Sequence, residues 1–149
     1  MKRKRKIFLS VVILVLLFQT VTAAGEDGTA GYQRKSGEVV FLLDASSSMN
    51  TQDKNRLAID VIRQAAYSLP SNYKTGLVVY NTEIQGMKAL DADMGQLESQ
   101  LEAVVYSGYT NAGQGLSQAV GLFSEAENTD RYIIMLSDGE IDMPNKKER

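Results

Sequence analysis

The sequence predicts an α/β fold, a doubly wound and mainly parallel sheet with helices on both faces. Two observations carry this expectation. Glu38-Val39-Val40-Phe41-Leu42-Leu43-Asp44, Thr75 to Tyr80 and Ile133-Ile134-Met135-Leu136 are continuous apolar runs bounded by polar or turn residues. Runs of that length without alternation fit strands buried on both faces, as in a parallel sheet. Stretches with helical spacing separate them, and strands alternating with helices indicate this class.

The chain opens on a segment outside that fold. Lys2, Arg3, Lys4, Arg5 and Lys6 form a basic cluster, followed by an apolar run from Ile7 to Phe18 broken only by Ser10. Val21, Thr22 and Ala23 then offer small residues. This order reads as a secretory signal peptide cut after Ala23, with Ala24 as second choice. The run is short for a membrane span of about 20 residues, which favours cleavage over an anchor. Residues 1–23 are therefore read as the signal peptide, 24–37 as a polar, glycine-containing linker, and 38–149 as the domain. The expected location is secreted or on the extracellular cell surface, with no membrane insertion of the mature domain.

The domain's elements follow in order. After the first strand, Ala45 to Asn50 is a small polar loop. Asp53 to Leu69 is expected to be helical, with Leu57, Val61, Ala65 and Leu69 as its apolar repeat, flanked by Ala58, Ile62 and Ala66. Pro70 ends it. The strand Thr75 to Tyr80 comes next, and Ile84 to Leu90 is a more polar strand at a sheet edge. Met94, Leu97, Leu101, Val104 and Val105 mark a second helix; Ala112, Leu116, Ala119, Val120 and Phe123 mark a third. The strand Ile133 to Leu136 ends at Ser137-Asp138-Gly139.

Composition narrows the chemistry. Five of the sixteen basic residues lie in the leader, which leaves eleven against eighteen acidic residues and a net charge of −7. An acidic domain without a basic patch argues against nucleic acid as a partner. The chain has no cysteine and no histidine. Disulfides, cysteine nucleophiles, Ser-His-Asp triads and the usual zinc ligands are thereby excluded within it. A hard cation held by oxygens remains open.

Asp44, Ser46 and Ser48 stand at alternate positions just after the first buried strand, and Asp138 stands just after the last. In a doubly wound sheet, ligands bind beyond the carboxyl ends of the strands, where strand order reverses. If the two strands are neighbours, both loops meet at that crevice. Gly108-Tyr109-Thr110-Asn111 opens the third helix and can bring Thr110 to the same place. Two carboxylates and three hydroxyls suit a small hard cation such as Mg²⁺. Taken alone, Asp44 with Ser46 and Ser48 also fits a turn whose side chains cap the next helix. Asp91-Ala92-Asp93 lacks the spacing of a calcium loop and reads as a turn and helix cap. Gly113-Gln114-Gly115 lacks the further residues of a nucleotide loop and reads as close helix packing.

Asp44-Ala45-Ser46-Ser47-Ser48 resembles the DxSxS signature of the von Willebrand factor type A (VWA) family, with Met49 following. Tyr109-Thr110-Asn111 is similar to that family's threonine loop, and Ser137-Asp138-Gly139 to its distal aspartate. The resemblance covers roughly Glu38 to Glu148. It implies a Rossmann-like fold and a metal-ion-dependent adhesion site for Mg²⁺ or Mn²⁺. Ser46, Ser48 and Thr110 would give hydroxyls to the cation, and Asp44 and Asp138 would act largely through water or hydrogen bonds. One position would stay open for an acidic residue of a protein partner, in a binding module that is not an enzyme. Tyr109 stands where the family commonly has a second glycine. The family's remaining strands do not follow, so the chain reads as its N-terminal part, with an unpaired outer edge on the strand at Ile133 to Leu136. An aggregation-prone or partly folded chain is the expectation from that edge.

Two other functions compete. A Mg²⁺-dependent phosphatase resembling the haloacid dehalogenase family would use Asp44 as nucleophile and Asp138 with Asp142 as distal acids. It needs a second aspartate at position 46, where Ser46 makes a poor general acid. The other is a structural surface module without a working metal site.

Overall fold

The structure, a computed structural model, describes residues 12–18 and 35–140. Its sheet has the order β1-β5-β2-β3-β4, built from β1 (Val12–Phe18), β2 (Ser36–Asp44), β3 (Tyr73–Tyr80), β4 (Ile84–Asp91) and β5 (Thr129–Ser137). The helices are α1 (Met49–Gln52), α2 (Leu57–Ser68), α3 (Met94–Glu102) and α4 (Ala112–Gly121). The three central strands are parallel: β2 pairs with β3 on one side and with β5 on the other. Both outer pairings, β3 with β4 and β5 with β1, are antiparallel. The polar strand expected at an edge, β4, is at one.

The continuous apolar runs are buried on both faces of the sheet because alternate side chains enter two separate cores. Val39, Phe41 and Leu43 of β2 join Leu77 and Val79 of β3 under α2 and α3. Val40 and Leu42 join Val78, Tyr80 and Ile133 under α4. Period-two alternation sends successive side chains to opposite faces, so a strand covered on both sides must be apolar throughout.

The apolar face expected for the third helix is used only in part: Ala119 of α4 is buried, whereas Leu116 and Val120 are 37% and 48% exposed. Two further expectations change. The apolar repeat expected for the first long helix holds only in its second half, where Ala65 and Leu69 pack against the core. Ala58, Ile59, Ile62 and Ala66 are buried, whereas Leu57 and Val61 are 47% and 42% exposed. The helix also begins later than expected, at Leu57. Arg56 takes a left-handed backbone conformation and interrupts it. Asp53 remains its effective cap: the carboxylate accepts from Leu57 N at 2.7 Å and Ala58 N at 3.0 Å. These are donors that a helix start leaves free. Tyr106 Oη donates to the same carboxylate at 2.8 Å and ties the helix start to the segment after α3.

The second change is at β5. Its outer edge is paired along seven residues, from Val12 opposite Ser137 to Phe18 opposite Arg131. The apolar, β-branched run at 12–18 has strand propensity, and an open edge offers free backbone donors and acceptors. The expected cleavage point at Ala23, residues 24–34 of the linker, and Asp142 and Asn145 to Arg149 lie outside the described residues.

Two local readings hold. Asp93 caps α3 by accepting from Gln96 N. Gly115 is a close-packing glycine, since a Cβ there would lie 2.7 Å from the Tyr80 ring.

Candidate functional site

β2 is central, β3 lies on one side of it and β5 on the other, so the strand order reverses at β2. The crevice beyond the carboxyl ends of β2 and β5 is the place where such sheets bind ligands. Asp44 is the last residue of β2, and Asp138 directly follows β5.

The loop after β2 turns on Asp44, whose side chain is fully buried. Its Oδ1 accepts from Ser46 N at 2.9 Å, and its Oδ2 accepts from Ser137 Oγ at 2.9 Å. The carboxylate therefore organises its own loop and holds the end of β5 against it. Ser46 is fully buried, and its Oγ lies 3.1 Å from Ser48 Oγ. Ser48 precedes α1 but makes no side-chain cap bond. The simple helix-cap reading of this motif is thus not what the side chains do; the two hydroxyls face each other.

The threonine loop is pinned to the same place. Ser107 N donates to Ala45 O at 2.8 Å, and Ser47 donates to Gly108 O through its N–H at 3.0 Å and its hydroxyl at 2.6 Å. Gly108 has φ +72, and a Cβ there would meet Thr82 Oγ1 at 2.6 Å. That position requires glycine on both counts. Asn111 N donates to Asn81 O at 2.8 Å, and Asn111 caps α4 by accepting from Gln114 N. Thr110 is held between these two anchors. Tyr109, beside it, is 45% exposed, with its N–H donating to Thr82 Oγ1 at 2.8 Å.

Burial dominates the electrostatics of the site. Burial raises the Asp44 carboxyl above the ordinary carboxylate range. Hydrogen bonds from Ser46 and Ser137 pull it back, and the nearby Asp138 charge pushes it up again. Asp138 accepts from Glu140 N at 2.9 Å through Oδ1 only. Its Oδ2 is buried without a hydrogen-bond partner, and so are Thr110 Oγ1 and Tyr80 Oη. A buried polar group left unpaired costs about 1–3 kcal/mol, so such groups point to an absent partner. Thr110 and Asp138 are two of the five residues that the sequence singles out.

The donor set is oxygen only. No group of three or more His, Cys, Asp or Glu converges among the described residues. Two carboxylates with three hydroxyls suit a hard cation of the Mg²⁺ type and offer nothing to soft metals. The residues present therefore fit such an ion.

The sequence reading assigned no role to two residues here. Ser137 was visible in the motif, but its bond to Asp44 depends on β2 and β5 being neighbours. Tyr80 ends β3, in parallel register with Asp44. Nothing in its local sequence separates it from an ordinary core tyrosine.

No curated protein matches the sequence. Among solved structures, the chain is similar to the vWF domain of the type V pili tip protein Mfa5 from Porphyromonas gingivalis. The identity is 23% and the TM-score 0.59, over 66% of this chain and 36% of that one. It is similar to a conserved hypothetical protein BatB from Bacteroides thetaiotaomicron at 24% identity and TM-score 0.56, over 63% and 49% of the two chains. It is also similar to the pilus adhesin SpaC from Lactobacillus rhamnosus GG at 16% identity and TM-score 0.52, over 67% and 14%. The chain thus spans less than half the length of each of these structures. At such identities the likeness shows the fold. The sequence itself matches the von Willebrand factor type A domain over residues 39–140, more than half of its length, and the chain belongs to that family.

Proposed function

We propose that this domain is a metal-dependent protein-binding module of adhesion type, and not an enzyme. Ser46, Ser48 and Thr110 would hold Mg²⁺ or Mn²⁺ through their hydroxyls. Asp44 and Asp138 would act through water and hydrogen bonds, and an acidic side chain of a protein partner would complete the site. The observation that carries this reading is the pair of buried, unpartnered oxygens, Thr110 Oγ1 and Asp138 Oδ2, on loops bonded at the same sheet edge to the loop that carries the facing hydroxyls of Ser46 and Ser48. Neutral hydroxyl ligands leave most of the ion's charge uncompensated, which favours an incoming carboxylate. The pinned loops hold the donors in place before any ligand arrives, which lowers the ordering cost of binding. The similarity to pilus tip and pilus adhesin domains supports an adhesive role.

Titration calorimetry tests this directly. The wild-type protein is expected to bind one Mg²⁺ or Mn²⁺. Thr110→Val should weaken binding about tenfold or more, yet leave the metal-free melting temperature nearly unchanged, because the lost hydroxyl had no partner. Undiminished binding by that variant would remove Thr110 from the site.

The reading places the domain outside the cell, secreted or surface-displayed, with residues 1–23 as a cleaved leader, whose removal would take β1 away and leave the outer edge of β5 unpaired in the mature domain. No helix among the described residues is long and apolar enough to cross a membrane. Mass spectrometry of protein exported by a bacterial host is expected to find Ala24 or Gly25 at the amino terminus. An intact Met1 on membrane-bound protein would favour an anchor.

A further inference from the structure

Tyr80 is fully exposed to neither solvent nor a hydrogen-bond partner: its side chain is 0% exposed, and its Oη is buried and unpaired. It stands opposite Asp44 in the parallel register of β2 and β3, on the same face of the sheet. Its backbone carbonyl accepts from Ala45 N at 2.7 Å, which fixes the start of the Asp44 loop on β3. Asp44 and Ser137 are the polar groups beside its hydroxyl. The ring, meanwhile, lies against Gly115, where a Cβ would sit 2.7 Å from Cγ and from Cδ1. Gly115 belongs to α4, the helix whose cap Asn111 directly follows Thr110.

One side chain therefore touches both halves of the site. The hydroxyl end is beside the carboxylate that organises the serine loop, and the ring sets how closely the threonine helix approaches the sheet. A core tyrosine with no polar task would gain by being phenylalanine, since an unpaired buried hydroxyl costs about 1–3 kcal/mol.

We propose that Tyr80 is a positioning residue of the metal site, its hydroxyl hydrogen-bonding to the Asp44 carboxylate and the water it holds when the cation is bound. This rests on the metal-binding reading above. The hydroxyl and ring roles separate cleanly, because Tyr80→Phe removes the first and keeps the second.

The experiment is Mg²⁺ titration by calorimetry, with tyrosine ultraviolet difference spectra on adding Mg²⁺, for wild type, Tyr80→Phe and Tyr109→Phe. Tyr80→Phe is expected to bind Mg²⁺ about five- to tenfold more weakly, with a metal-free melting temperature equal to or above wild type. The Mg²⁺-induced tyrosine signal should persist in Tyr109→Phe and disappear in Tyr80→Phe. Wild-type affinity in Tyr80→Phe would overturn the proposal and leave the metal site standing. A lower metal-free melting temperature alongside weaker binding would also overturn it, since that is the mark of packing alone. Absence of Mg²⁺ binding in wild type would instead sink the metal reading, and this inference with it.

Discussion

Asp44→Asn is expected to stabilise the metal-free protein while abolishing its response to Mg²⁺. Asp44 is fully buried, and a second carboxylate, Asp138, bears on it. Burial raises its folded-state pKa above the unfolded value. A carboxyl shifted in that direction contributes stability at pH below its unfolded pKa of about 3.9, and that contribution is lost as pH rises through the folded value. At neutral pH the ionised group is a cost to the metal-free fold. Asparagine has the same shape; its carbonyl can accept from Ser46 N and its amide can donate to Ser137 Oγ. Replacing a buried charge by a neutral isostere should gain about 1 kcal/mol, or roughly 4 °C in melting temperature for a domain of this size. The gain should vanish below about pH 4, where wild-type Asp44 is also neutral. With saturating Mg²⁺ the order should invert, because binding to the folded state alone stabilises wild type. Thermal melts in chelator and in Mg²⁺, at pH 7 and pH 3.5, check all of this. A loss of stability in chelator at pH 7 would mean that the carboxylate serves the fold more than the ion.

The site was legible in the sequence to the extent that topology was. Asp44 and Asp138 each follow an apolar run, and that position is enough to place both at the carboxyl edge of a parallel sheet. Thr110 opens a helix and arrives at the same edge. What brings the serine and threonine loops together is backbone bonding, Ser107 N to Ala45 O and Ser47 N to Gly108 O, which involves no particular side-chain type and leaves no mark in composition. Tyr80 is silent in the sequence for a related reason: its place opposite Asp44 is fixed by strand register, 36 residues away in the chain.

The phase of α2 shows another limit. Leu57, Val61 and Ala65 make as good an apolar stripe as Ala58, Ile62 and Ala66, displaced by one residue. Propensity cannot choose between them. The sheet does, by accepting Ile59 and Ile62 into the core with Phe41 and Leu43. The capping geometry agrees, since Asp53 grips Leu57 N and Ala58 N and fixes where the first turn begins.

Lys88 is the largest departure from what composition suggests, and it carries the second large prediction. It sits on an edge strand, where a lysine ordinarily faces water and discourages edge pairing. Here it is 0% exposed. Its ammonium donates to Thr75 O at 2.7 Å, to Ala89 O at 3.1 Å and to the Asp91 carboxylate. The acceptors are mostly main-chain carbonyls at the strand ends, so no spacing of charged residues announces them. Lys88→Ala removes the aliphatic stem and strands these acceptors together, and is expected to cost about 3 kcal/mol or more. That corresponds to a drop of roughly 10 °C in melting temperature. Lys88→Met keeps the stem and loses only the polar bonds, so it should cost about 1 kcal/mol. Asp91 is 44% exposed and can turn to water in either variant, which limits the penalty for its stranded charge. The Lys88 ammonium, and then Asp93 N–H, hold the Asp91 carboxyl below its ordinary range. Stability from that pairing is present above about pH 4 and is lost as pH falls through the folded-state pKa. The gap between wild type and Lys88→Met should therefore narrow on acidification. Melting curves at pH 7 and pH 3 measure it. If both variants melt with wild type, Lys88 is solvated, and the buried cation at this edge does not exist.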